Sequence, residues 1–157
     1  MYDFIHRKDM VNLKDTKQLN KILRRVNGEI GALYHEAAME VGISDSVQNI
    51  FYVLGNNGNC CLQSDFYKQT NISRQTINSA IHKLEKDGIV TIEQGTGKNT
   101  IISLTEKGLK FAEEKVYVLF DIEDSLFDEW TEEEREMYVR LTQKFRDSLK
   151  RAIETKF

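Results

Sequence analysis

The sequence predicts a mainly helical chain with one small β-hairpin, and three observations carry that expectation. Residues 72–108 read as a capped helix that runs into two short β-branched stretches joined by a Gly-rich turn. Long segments on both sides repeat apolar residues every three or four positions, the spacing of one helix face. Proline is absent, which suits uninterrupted helices. Together these describe a winged helix-turn-helix joined to an all-helical dimerisation region, with residues 1–41 and 109–157 flanking a central module at 42–108.

Taken in order, residues 15–41 place Leu19, Ile22, Leu23, Val26, Ile30, Leu33, Tyr34, Ala37 and Val41 along one helical stripe. Gly28 and Gly31 interrupt it, each at a cost of ~1 kcal/mol relative to Ala, so close packing or a bend is expected there. Ser44 is placed to cap a second helix through Leu54, with Val47, Ile50, Phe51 and Leu54 as its apolar stripe. Residues 64–70 form the first helix of the helix-turn-helix. Ser73 then caps the second, and Gly88 ends it in the left-handed conformation that glycine tolerates. Residues 89–92 and 100–104 are the strands, with 93–99 as the turn. A long helix is expected over 105–127, and a last one over 131–157, opened by a Thr131/Glu134 capping box.

The helix after Ser73 has two unlike faces. Ile77, Ala80, Ile81 and Leu84 form the face that packs on a core. The other side gathers Gln75, Asn78, Ser79, His82, Lys83 and Lys86, with Arg74 and Thr76 near the start. Amides, hydroxyls and cations are the groups that read base edges and clamp phosphates. A helix face that is merely solvated more often alternates Glu with Lys, and here Glu85 is the only acid. Gln75, Asn78 and His82 are the expected base readers, with Arg74, Ser79 and Lys83 on phosphates or flanking bases and Thr76 also in the DNA-binding set. Lys98 and Asn99 at the turn complete the expected DNA-binding set. Gly95-Thr96-Gly97 belongs to no complete phosphate-loop motif.

These stretches resemble the multiple-antibiotic-resistance regulators, the MarR family. The resemblance runs from about residue 15 to the end. Its most specific parts are Ser73 through Leu84-Glu85-Lys86-Asp87-Gly88-Ile89-Val90, the junction Leu104-Thr105-Glu106-Lys107-Gly108, and Thr131-Glu132-Glu133-Glu134. It implies a homodimeric, triangular winged-helix regulator of transcription, often released from DNA by a small molecule or an oxidant. The chain departs from the family pattern twice. The wing carries Glu93 and Lys98 where relatives place an Asp and one or two arginines, and Tyr67 stands where relatives commonly carry a small Ala. The resemblance also implies an effector site. Tyr34, His35, Phe51 and Tyr52 lie on the two helices expected to border it, with aromatic walls and a few polar tips suited to a small aromatic molecule.

Charge supports the same division of labour. The net charge of −3 is uneven: residues 1–59 balance, residues 60–110 carry seven Lys/Arg against five Asp/Glu, and residues 111–157 carry eight against thirteen. The positive excess lies on the proposed DNA module, which would steer that face toward phosphate. An acidic total and an arginine-poor wing leave an alternative, a winged-helix protein-interaction module with little DNA binding.

Other chemistry finds little footing. The adjacent Cys60 and Cys61 are expected to be small buried residues of a short strand, not a disulfide, with a redox role as the lesser reading. Three histidines with no H-x-x-x-H or C-x-x-C spacing give no metal site, and no cofactor is expected. The acids from Glu132 to Glu136 suit a helix N-terminus better than a catalytic pair, so no enzyme is expected. No apolar run approaches ~18 residues and no leader-like segment opens the chain. The expected setting is cytoplasmic and nucleoid-associated, with double-stranded DNA and a second copy of the chain as partners.

Overall fold

The computed structural model describes residues 15–97 and 99–157; residues 1–14 of the expected N-terminal region, and Lys98 in the turn, lie outside the described residues. The order is α1 (Thr16–Glu40), α2 (Asp45–Asn56), β1 (Cys60–Leu62), α3 (Gln63–Gln69), α4 (Arg74–Lys86), β2 (Val90–Gln94), β3 (Thr100–Leu104), α5 (Glu106–Lys115), α6 (Tyr117–Ser125) and α7 (Glu132–Lys156). The chain divides into two compact units, Met1–Val116 and Tyr117–Phe157.

In the first unit, α1 starts where the Asp15 carboxylate accepts from the Lys17 amide at 2.9 Å. It runs unbroken through Gly28 and Gly31, and apart from the helix's own backbone and the adjoining residues no atom of the described residues lies within 4 Å of a Cβ built at either one. Ser44 caps α2, as its position predicts. The stripe Ile50, Val53 and Leu54 is fully buried, with Phe51 stacked on Phe111 of α5 at 5.4 Å between ring centroids. Phe66 from α3, Ile77 and Ile81 from α4, and Ile102 from β3 complete a core in which each of these side chains is fully buried.

The sheet is larger than the expected hairpin. Strand β1 pairs antiparallel with the far edge of β3, in the order β1-β3-β2 and with Cys61 opposite Ile102. An isolated two-stranded ribbon is marginal in water, and the third strand gives β3 partners on both sides. Asn59, at φ 67°, turns the chain from α2 into β1, and its carbonyl accepts from the Leu104 amide at 3.0 Å.

The long helix expected over residues 105–127 is two helices. α5 ends at a Val116 cap, α6 begins at Tyr117, and α6 stops at Ser125. The break falls in Val116-Tyr117-Val118, where β-branched and aromatic side chains lose rotamer freedom in a helix. No Gly or Pro marks it. In the second unit, Phe127, Trp130 and Tyr138 pack edge to face at the entry to α7, with Trp130 5.2 Å from Phe127 and 5.3 Å from Tyr138. The capping box forms as expected: the Thr131 amide donates to Glu134 Oε2 at 2.9 Å, and the Glu134 amide donates to Thr131 Oγ1 at 3.2 Å.

Candidate nucleic-acid interface

Helix α4 is held from one side and open on the other. Ser73 Oγ accepts from the Thr76 amide at 3.1 Å and lies 2.8 Å from the Thr76 hydroxyl, fixing the first turn. Ile77, Ile81 and Leu84 are buried and anchor the helix on the core. Arg74, Gln75, Thr76, Ser79, His82 and Lys83 are exposed, while Asn78 is half-buried. His82 Nδ1 lies 3.3 Å from Glu85 Oε2 on the next turn.

The exit from α4 is clamped to the start of α5. Gly88 takes φ +71°, and its amide donates to the Glu85 carbonyl at 2.9 Å. The Thr105 hydroxyl meets the Gly88 carbonyl at 2.7 Å and accepts from the Gly108 amide at 3.0 Å. Lys107 Nζ donates to the Asp87 carbonyl at 2.6 Å. Gly108 passes so close to this turn that a Cβ there would stand 2.1 Å from the Ile89 carbonyl oxygen. The Leu104–Gly108 stretch thus joins the end of the polar helix to the base of the wing, and only glycine fits at its last position.

The wing is closed by its own backbone and by one amide. The Gly95 amide donates to the Asn99 carbonyl at 2.8 Å, and Gln94 Nε2 donates to the Gly97 and Asn99 carbonyls at 3.0 and 3.2 Å. Asn99 is exposed at its tip.

Sequence reasoning missed the contact between α3 and α4. Gln63 Nε2 donates to Asn78 Oδ1 at 3.0 Å, and the Tyr67 hydroxyl donates to the same oxygen. The Arg74 guanidinium lies over the Tyr67 ring, 5.1 Å from its centroid. The signal was Tyr67 standing where relatives commonly carry a small Ala. In the structure the larger side chain is a bracket between the two helices.

Residues 41–98 match the model of the MarR family, a span from the end of α1 to the wing tip. Over those residues the chain is similar to the MarR family's winged helix. No curated protein matches it at a significant level. Among solved structures, NMB1585, a MarR family regulator from Neisseria meningitidis, superposes with a TM-score of 0.76 at 16% identity, covering 89% of this chain and 99% of that one. BpsR of Bordetella bronchiseptica, described with regulation of its DNA binding by 6-hydroxynicotinic acid, gives 0.65 at 22% identity over 82% and 98% of the two chains. Staphylococcus aureus MepR in complex with DNA gives 0.65 at 19% identity over 82% and 94%. At these identities the likeness is one of fold.

The four residues of the expected effector site do not share one environment. Phe51 belongs to the core, whereas Tyr52 and Tyr34 are 47% and 39% exposed. His35 Nδ1 bridges α1 to α2 at 3.0 Å from Asp45 Oδ1. Cys60 is exposed, with the Ser103 hydroxyl 3.1 Å from its sulfur, whereas Cys61 is buried. Burial pushes the Cys61 thiol up to about 12, with Asp65 and then Cys60 adding to the shift, so it stays protonated at neutral pH. No group of three or more His, Cys, Asp or Glu suited to a metal occurs among the described residues, and no described helix is long and apolar enough to cross a membrane.

Proposed function

We propose that this chain is a homodimeric transcriptional regulator, a repressor that binds pseudo-palindromic duplex DNA through α4 and is released by a small aromatic molecule. The observation that carries the reading is the exposed polar face of α4, rigidly backed by Ile77, Ile81 and Leu84 and clamped at its exit by Thr105 and Gly108. Gln75 and His82 read bases beside Asn78, while Arg74, Thr76, Ser79 and Lys83 meet phosphates or flanking bases. Lys98 and Asn99 add a wing contact. The MepR–DNA complex supports this use of the shared fold. Retention of duplex DNA by the full chain at low salt tests it; no retention would remove the reading.

The dimer is supported by apolar surface that the chain leaves open. In α7, Met137, Tyr138, Leu141, Phe145, Leu149 and Ile153 are 46 to 56% exposed, and α7 contains no buried residue. On α1, Leu23, Val26, Ile30, Leu33 and Tyr34 are likewise exposed, and Gly28 and Gly31 leave room for a close neighbour. A second copy covering these stripes would form an interface above ~2,000 Å², the obligate kind. In this reading residues 1–41 and 109–157 supply the dimer, and residues 42–108 supply the DNA module.

The effector is a small aromatic acid or phenol held near Tyr34, His35 and Tyr52, with Phe51 supporting the site from the core. BpsR, regulated by 6-hydroxynicotinic acid, supports that ligand class. Binding must favour a dimer geometry whose two α4 helices no longer match the half-sites. A coupling of ~1–3 kcal/mol suffices, and by linkage DNA weakens the ligand by the same factor. Titration of aromatic acids with and without bound DNA checks this; identical constants would leave a regulator controlled by its own abundance.

A further inference from the structure

The α3–α4 contact carries an inference that rests on the DNA-binding reading. Asn78 sits on the helix proposed to enter the groove, yet its Oδ1 accepts from both Gln63 Nε2 and the Tyr67 hydroxyl. An amide oxygen has two lone pairs, so its accepting capacity is taken. The amide N–H2 takes part in neither bond. Asn78 is only half-buried, and no buried side-chain polar atom among the described residues lacks a partner, so this group keeps contact with solvent.

We infer that Tyr67 and Gln63 set the reading chemistry of Asn78 by holding its carbonyl and leaving the N–H2 as the group offered to DNA. An asparagine reads adenine with both ends of its amide: the oxygen accepts from N6–H2 while the nitrogen donates to N7. With the oxygen held, that pairing is closed. Asn78 then addresses acceptors alone, which in the major groove favours guanine, through O6 and N7, or thymine, through O4. Tyr67 is therefore a positioning residue that acts through Asn78. Its ring has a second task. Arg74 stands at the first position of α4, where the helix dipole disfavours a cation and no acidic residue lies in the first turn. The face of the Tyr67 ring supplies the compensating attraction and fixes where the guanidinium starts.

Selection of bound duplexes from a random library tests this, using the full chain, Asn78→Ala, Tyr67→Phe and the double variant Gln63→Ala/Tyr67→Phe. Phenylalanine keeps the ring under Arg74 and removes only the hydroxyl. The unaltered chain should enrich guanine or thymine at the position whose preference disappears in Asn78→Ala. In the double variant the freed carbonyl should raise adenine at that position by roughly 5-fold or more, with Tyr67→Phe intermediate. Affinity for random DNA should stay unchanged, which a merely structural role for Tyr67 would not give. Adenine enriched by the unaltered chain at the Asn78-dependent position would overturn the inference. So would a base preference unmoved in the double variant, or no Asn78-dependent position at all. Failure of the unaltered chain to retain any DNA at low salt would remove the DNA-binding reading, and this inference with it.

Discussion

Helices α4 and α7 are both amphipathic, but the chain treats their apolar faces in opposite ways. In α4 the apolar stripe is satisfied internally: Ile77 and Ile81 are fully buried and Leu84 nearly so, which leaves the polar face outward. In α7, 25 residues against the 13 of α4, the apolar stripe is half-exposed and nothing is buried. A helix whose apolar side is satisfied can spend its polar side on a ligand. A helix whose apolar side is open carries surface that monomeric proteins rarely leave in water. The first therefore points to DNA and the second to another copy of the chain.

The largest effect should come from breaking the support of α4. Gly108→Ala would drive a methyl into the Ile89 carbonyl oxygen, and the turn at the base of the wing must then move. Overpacking of this kind against backbone should cost about 3 kcal/mol, read as a lower urea midpoint of the full chain. An unchanged midpoint would show that the junction is softer than its geometry implies.

Next comes the open stripe of α7. Phe145→Asp should split the proposed dimer while sparing the internal packing of the winged helix, since Phe145 is 56% exposed in the single chain. Sedimentation should shift toward the monomer at micromolar concentration, and the helical circular dichroism contributed by the winged helix should persist. A dimer that survives this charge would place the interface elsewhere.

Gln75→Ala sharpens the other half of the comparison. Gln75 is exposed on α4 and has no packing role to lose, so its removal should cost ~1–3 kcal/mol at preferred sequences and leave binding to random DNA intact. Equal loss on both would make Gln75 a phosphate contact.

Much of this was legible in the sequence because the signals were local. Ser44, Ser73 and Thr131 each cap the helix their position announced, since capping depends on only three or four consecutive residues. The short strand expected at Cys60 and Cys61 is β1, but its pairing with β3 and the break at Val116 were not legible. The first joins residues some forty positions apart, and the second sits in a run that keeps its helical periodicity while losing propensity. At the candidate site, side-chain type and helical face identified the polar set on α4. The Tyr67–Asn78–Gln63 contact could not be read there, because it depends on how two helices meet.

At neutral pH the smallest effect concerns the two adjacent cysteines. Cys61 is held protonated in the folded chain, up to about 12 against an ordinary 9.0, mainly by burial. Its contribution to stability is full below pH 9 and is lost as pH rises from there toward about 12, because the unfolded chain ionises first. Cys61→Ala should flatten that alkaline decline. At neutral pH an alkylating reagent should label Cys60 readily and Cys61 only after unfolding, and equal labelling of the folded chain would contradict the burial that separates them.

The pairing of a polar α4 face with DNA and an apolar α7 face with a second copy is tested most directly by hydroxyl-radical footprinting on a selected duplex, with stoichiometry measured on the same complex. Two chains per duplex should protect two inverted half-sites whose centres lie about one helical turn apart, ~34–36 Å. A single chain protecting a single half-site at saturation would contradict the account.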